Sequence, residues 1–367
     1  MSSSFSAGSS PLAAYGWDTS LENEFTSHRA AGLIPGRVAA VDRGLCDVVT
    51  DTGPTRASTG ATGSITSDPP CTGDWAALRP DGPDGRPAIA ALLPRRTAIV
   101  RSSAARDSRG QVLAANVDTV AIAVSLAVAV DLGRAERLLA LAWESGARPV
   151  VVLTQSDLAR SAADADQARD RVAGAAPGVD VAMCSAATGD GVDAVRAVLA
   201  GTVVLVGPSG AGKSTLGNAL LGAEVLATGA VRAGDGKGRH TTVRRELLPL
   251  PGGGVLIDTP GLRGVGLFEA STGLERAFAD VEDLAAGCRF GDCAHDTEPG
   301  CAVLAAVEDG ALPRRRLDSY RKLQRENEWA AARTDARLHA ELQNRRRAIT
   351  LLQRQKYQQD RREGRDR

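Results

Sequence analysis

Little in this chain carries an aromatic ring or an ammonium group. Phe, Trp and Tyr make up 3% of the 367 residues, and four lysines stand against 40 arginines, the first at Lys213. Scarce rings exclude a surface that reads bases mainly by stacking, and between Gly36 and Arg106 the only ring residue is Trp75. Scarce lysine makes each one worth questioning, because arginine stands wherever a cation alone suffices. No apolar run reaches the roughly 20 residues that span a bilayer; the longest, Val120 to Val130, reads as a buried strand. The opening MSSSFSAGSSPLAAYGW has neither the basic nor the apolar segment of a secretory leader, so a cytoplasmic protein with no membrane partner is expected. Cys46, Cys71 and Cys184 are scattered. Cys288, Cys293 and Cys301 instead gather around His295, which in a cytoplasmic chain reads as metal ligation and not as disulfides. His28 and His339 are expected at the surface.

What is present is a globular composition, 43% hydrophobic and 24% charged. At about 100–200 residues per domain the length predicts two or three domains. The net charge of zero conceals an asymmetry: Arg314 to Arg367 holds 17 Lys and Arg against 8 Asp and Glu, leaving 27 against 36 elsewhere. A basic C-terminal segment on an acidic body predicts a polyanionic partner.

Residues 1–35, rich in Ser, Ala and Gly without apolar periodicity, are expected to form a disordered lead. Residues 36–106 carry short alternating stretches (RVAAVD, LCDVVTD, AIAALLP, TAIVR) that predict a small β-barrel, with residues 51–70 as a long mobile loop. From Val117 apolar strands alternate with helical segments, so residues 107–270 predict an α/β domain whose parallel sheet is covered on both faces. Residues 271–320 predict helices around the Cys/His cluster, and residues 321–367 a basic, helical tail.

The strand TVVLVG runs into Gly207-Pro208-Ser209-Gly210-Ala211-Gly212-Lys213-Ser214-Thr215, a G-x-x-x-x-G-K-[ST] loop in its strand–loop–helix setting. Glycines let backbone N–H groups curl around phosphate, Lys213 reaches the β- and γ-phosphates, and Ser214 is placed to ligate Mg²⁺. GVLIDTPG adds Asp258 for the Mg²⁺ shell and Gly261 for a γ-phosphate contact. Two base-reading elements precede the phosphate loop. Thr154-Gln155-Ser156-Asp157 ends a strand as the N/T-K-x-D motif does, with Asp157 placed to accept from guanine N1 and N2; Ser185-Ala186 matches the loop that touches guanine O6. The order base motif, S-A loop, phosphate loop, DTPG is that of a circularly permuted GTPase.

Together TGDW, ANVDTV, VVLTQSDL, SAATGDGV, GPSGAGKST, GRHTT, DTPG and Cys288-x4-Cys293-x-His295-x5-Cys301 make the chain similar to the ribosome small-subunit-dependent GTPases, bacterial factors of late small-subunit maturation. The resemblance covers residues from Gly36 to Tyr320. It implies an α/β, circularly permuted P-loop GTPase domain behind an OB-type β-barrel and ahead of a C-terminal helical zinc-binding domain. It also implies GTP hydrolysis stimulated by the small ribosomal subunit and contacts to its rRNA, with GTP and GDP as the bound nucleotides; a monomer is expected. One departure is Gln155, where the motif has a lysine whose methylenes lie along the guanine and brace the phosphate loop; weaker nucleotide binding with retained specificity is expected.

Many GTPases orient the attacking water with a glutamine after DxxG, but Leu262 stands there and can neither donate nor accept. His240 of GKGRHTTVRR is the catalytic candidate, beside Thr241 and Thr242, one of which should complete the Mg²⁺ shell. Cys288, Cys293, His295 and Cys301 suit one closed, structural Zn²⁺, with an iron–sulfur cluster or reduced thiols as alternatives. Arg37, Arg43, Arg95, Arg96 and Arg101 of the barrel, Arg314 to Arg316 and Arg345 to Arg347 are candidate phosphate contacts to RNA. Two rival functions remain: a zinc-containing rRNA-binding assembly module whose nucleotide domain barely hydrolyses, and a P-loop kinase or ATPase, which would have no use for Asp157.

Overall fold

A computed structural model of the chain describes residues 10–59, 69–82, 85–101, 110–227, 245–258 and 271–332, with residues 337 and 340. Helices α1 (Pro11–Ala14) and α2 (Thr19–Ala30) occupy much of the segment expected to be disordered. Each has a side-chain cap: Ser10 accepts from Leu12 N–H and Asp18 from Leu21 N–H. Their apolar residues are too few to announce a period, yet Leu12, Leu21 and Phe25 are buried with Val49, Trp75 and Leu93 of the barrel. Trp17 meets the Trp75 ring edge-on, at 5.0 Å between centroids.

The barrel closes in the order β1 (Ile34–Val41), β2 (Leu45–Thr50), β3 (Gly53–Ser58), β5 (Ala88–Leu92), β4 (Trp75–Arg79). Strand β3 lies inside the stretch expected as a loop, residues 51–70; full pairing with β2 from Thr50↔Gly53 to Leu45↔Ser58 overrides its poor strand propensity. TAIVR does not join the barrel. As β6 (Ala98–Arg101) it pairs with β7 (Gln111–Ala115) in a separate antiparallel ribbon.

A six-stranded sheet follows from β8 (Thr119–Ser125), α3 (Leu132–Glu144), β9 (Arg148–Thr154), α4 (Ala162–Ala175), β10 (Asp180–Met183), α5 (Val192–Val198), β11 (Thr202–Val206), α6 (Lys213–Leu221), β12 (Glu246–Pro249) and β13 (Val255–Asp258). The order is β10-β9-β8-β11-β13-β12, parallel except for the edge strand β12. Val, Ile and Leu fill both faces, one core lying under α3 and α4 and the other under α5 and α6. The carboxyl ends of β8, β9, β10, β11 and β13 therefore open along one edge, where ligands of such sheets sit.

Helices α7 (Ser271–Ala277), α8 (Ala279–Ala285), α9 (Ala302–Glu308) and α10 (Arg314–Ala331) complete the described chain. They share the core of α3: Phe278, Val281, Val303, Leu317 and Tyr320 are buried in the same cluster as Leu138 and Leu141. At Gly273 the backbones approach so closely that a Cβ would stand 2.1 Å from the Ala140 carbonyl oxygen. No helix among the described residues is long and apolar enough to cross a membrane.

Candidate functional site

The phosphate loop leaves β11 at Gly207, whose φ of 144° and closeness to β8 admit no side chain: a Cβ would meet the Ala123 carbonyl oxygen at 2.6 Å. Gly210 and Gly212 also have positive φ, and Gly212 caps the N-terminus of α6, which starts at Lys213. Lys213 Nζ donates to the carbonyls of Gly207 at 2.9 Å and Pro208 at 2.6 Å, so its charge is held over the loop. Ser214, half-buried, follows on the first turn of α6.

The base-motif strand is tied to that loop. Thr154, buried at the end of β9, donates through Oγ1 to the Ala211 carbonyl at 2.9 Å. Gln155 takes a left-handed φ of 58° and turns the chain into a single 3₁₀ turn, Ser156–Leu158, that leaves Asp157 exposed. Ser156 N–H donates to the Cys184 carbonyl at 3.2 Å, bringing the Ser185-Ala186 loop alongside. Ser185 is buried and its Oγ accepts from Thr188 N–H at 3.2 Å, which fixes the loop's curl. Asp258 ends β13, where burial, and secondarily the negative Glu246 opposite it in register, raise its carboxyl above the ordinary aspartate value. Thr154, Gln155, Ser156, Asp157, Ser185, Ala186, residues 207–215 and Asp258 thus share one edge of the sheet. Gly261, Leu262, His240, Thr241 and Thr242 lie outside the described residues.

The second site is the Cys/His cluster between α8 and α9. One ligand atom from each of Cys288, Cys293, His295 and Cys301 falls within 4.8 Å of all the others. Cys288 Sγ lies 3.8 Å from Cys301 Sγ and 3.6 Å from His295 Nδ1, and His295 Nδ1 lies 3.4 Å from Cys301 Sγ. A tetrahedral ion with Zn–S of about 2.3 Å and Zn–N of about 2.0–2.1 Å requires separations of roughly 3.8 Å and 3.6 Å. The donor set therefore fits zinc in both chemistry and spacing. His295 reaches its place through a positive φ of 55°, and burial lowers its pKa, favouring the neutral ring a ligand must present. Glu298 pins the knuckle, accepting from the backbone N–H groups of Ala294, Asp296 and Thr297.

Several motifs do structural service. Asp74 of TGDW is fully buried, accepts from Cys71 N–H at 2.7 Å and pairs with Arg95 at 2.7 Å. Asn116 of ANVDTV, at φ 52°, donates to the Gly73 carbonyl at 3.0 Å, and Asp118 accepts from Thr202 N–H at 2.6 Å. Arg37 is 2% exposed, stacks on Trp75 at 4.4 Å and donates to the Tyr15 and Asn116 carbonyls and to Thr202 Oγ1 at 3.0 Å. Burial pushes its pKa down to about 10, with Asp118 and Asp74 opposing, so it stays cationic at neutral pH.

Arg37 and Arg95 are therefore internal ties and not the RNA contacts expected of them, while Arg96 pairs with Asp18 at 2.9 Å. Arg316 is likewise turned inward and binds Glu136 of α3, which is fully buried, at 2.9 Å; Arg315 reaches the same carboxylate at 2.8 Å but stays exposed. Arg316 also pairs with Asp280 at 2.8 Å. Of these candidates Arg43 and Arg96 are exposed, Arg101 is half-buried at the end of β6, and Arg345 to Arg347 lie outside the described residues. Ser125 at the end of β8 escaped the motif reading; its position at the carboxyl edge of a parallel sheet was the available signal.

A phosphate-loop sequence converging on one sheet edge with the Thr154–Asp157 and Ser185-Ala186 segments, which come first in the chain, has the arrangement of a circularly permuted P-loop GTPase. Comparison with known proteins agrees: residues 92–268 match the RsgA GTPase family. Over 344 residues the chain is 58% identical to the small ribosomal subunit biogenesis GTPase RsgA of Streptomyces avermitilis, covering 92% of each chain. The chain belongs to the RsgA GTPase family. Its fold resembles that of YjeQ from Thermotoga maritima, with a TM-score of 0.61 and 26% identity over 80% of this chain and 98% of that one. It also resembles YloQ, described as a circularly permuted GTPase, with a TM-score of 0.59 and 21% identity over 81% of this chain and 95% of that one.

Proposed function

We propose that this chain binds the immature small ribosomal subunit in its GTP state, in contact with rRNA, and leaves after the subunit has stimulated hydrolysis of GTP to GDP. The observation that carries the nucleotide half is the bond from Thr154 Oγ1 to the Ala211 carbonyl, which welds the base-reading strand to the phosphate loop. The subunit half rests on membership of the RsgA family and on what the relatives' names say of them. Asp157 accepts from the guanine N1 and N2 donors, and the Ser185-Ala186 loop meets O6. The backbone of residues 207–212, Lys213, Thr215 and Gly261 hold the phosphates.

Ser214, Asp258 and one of Thr241 or Thr242 hold Mg²⁺, which when bound with the nucleotide neutralises charge on the β- and γ-phosphates. His240 positions the attacking water, since Leu262 cannot. Cys288, Cys293, His295 and Cys301 hold one Zn²⁺ that supplies folding free energy to the α8–α9 connection and no chemistry. The protein acts as a cytoplasmic monomer.

Co-sedimentation with purified small subunits tests the switch. The protein should pellet with subunits in the presence of a non-hydrolysable GTP analogue and stay in the supernatant with GDP. Equal pelleting in both would remove the switch and favour a constitutive assembly module.

A further inference from the structure

Two side chains at the nucleotide edge have no part in the roles above. Ser125, last residue of β8, donates its hydroxyl to Oε1 of Gln155 and accepts the N–H of Ala127 at 3.1 Å. Gln155 stands between the base-reading Asp157 and the phosphate loop, and its Cγ lies 3.5 Å from where a Cβ on Gly212 would be. With Oε1 engaged, the amide is turned by the serine, and Nε2 keeps two N–H donors for which the described residues offer no partner. Between a base at Asp157 and phosphates at residues 207–213 lies the sugar.

We propose that Ser125 is a positioning residue: it fixes the Gln155 amide so that Nε2 donates to an oxygen of the nucleotide's ribose. A neutral group held in one orientation thus takes the place of a lysine. The hydroxyl matters because a free glutamine side chain loses rotamer entropy on binding, whereas one anchored at Oε1 has already lost it. The inference rests on the reading of Asp157 as the base-reading residue. It differs from that reading in predicting an effect independent of the base.

The test is the affinity of the full-length protein for GTP and for ITP, by calorimetry, in Ser125→Ala, Ser125→Thr, Gln155→Lys and the double variant Ser125→Ala/Gln155→Lys. Ser125→Ala should weaken both nucleotides by one common factor, up to roughly tenfold for one lost hydrogen bond. Ser125→Thr should restore binding, because it keeps the hydroxyl. In the lysine background Ser125→Ala should change nothing, since no amide is left to orient. An unaltered affinity in Ser125→Ala would overturn the proposal, as would an equal loss in the lysine background, which would mark Ser125 as merely structural. Asp157→Asn serves as the separate control. If it fails to shift preference from GTP towards XTP, the base reading falls, while the coupling between residues 125 and 155 is judged by its own cycle.

Discussion

If Asp258 holds the magnesium shell as proposed, it sits under two conflicting demands at the end of β13: the shell needs its carboxylate ionised, yet burial, and to a lesser degree Glu246, disfavour its charge. The sign follows directly. Above its raised pKa the carboxylate is available, and as the pH falls through that value it takes a proton and Mg²⁺-dependent GTP binding is lost. The loss should therefore set in above the ordinary aspartate range. Glu246→Gln removes the smaller cause, so the acid limb of GTP affinity, measured against pH, should move down only part of the way. A limb that stays put would show that Asp258 is not the titrating ligand. Asp157→Asn should bind XTP in preference to GTP, because an amide cannot accept both guanine donors; nucleotide competition decides it, and retained GTP preference would cancel the base assignment.

Single residues were unevenly legible in the sequence. Gly207, Lys213 and Ser214 act within one short loop, so their spacing carried the message. Arg37 and Arg316 find partners 165 and 180 positions away, and nothing local separates two buried arginines from the other 38.

At the scale of elements the legible parts were those with a period. The Val-rich strands and their helices came out as read because continuous apolar runs and 3.6-residue stripes are strong local signals. Helices α1 and α2 and strand β3 were missed, being segments with few apolar residues whose structure is settled by packing on the barrel or pairing within it. The α8–α9 connection has almost no core of its own: Cys301 and His295 are buried, but Phe290, Gly291 and Asp292 are exposed. In the proposed function a bound metal would supply what burial does not. Cys293→Ala, or chelation of the metal, should release one zinc per chain and expose the α9 region to proteolysis while leaving GTP affinity within about twofold, since no ligand touches the phosphate-loop edge. Equal loss of nucleotide binding would show that the cluster and the nucleotide edge form one unit.

Across the whole molecule two buried guanidinium groups tie the parts together. Arg37 joins the barrel to Thr202, the first residue of the strand that feeds the phosphate loop. Arg316 joins α10 to Glu136 of α3 and to Asp280 of α8, and its Nη2 donates to the Ala277 carbonyl at 2.6 Å. Removing one partner of such a cluster strands the other charges. Arg316→Ala should therefore cost about 3–5 kcal/mol in denaturant unfolding, and Arg316→Ala combined with Glu136→Gln should cost less than the sum of the two single changes. Strict additivity would contradict the buried network.

With Leu262 offering the attacking water no amide, the proposed function assigns rapid hydrolysis to the complex with the small subunit and only slow hydrolysis to the free chain. Phosphate release from GTP at saturating nucleotide, with and without purified small subunits, addresses it most directly. Turnover by the free protein should be slow, and subunits should raise multiple turnover on the order of 10²-fold or more, the scale of one positioned catalytic group, with His240→Ala losing most of the stimulation. Equal rates with and without subunits would contradict it.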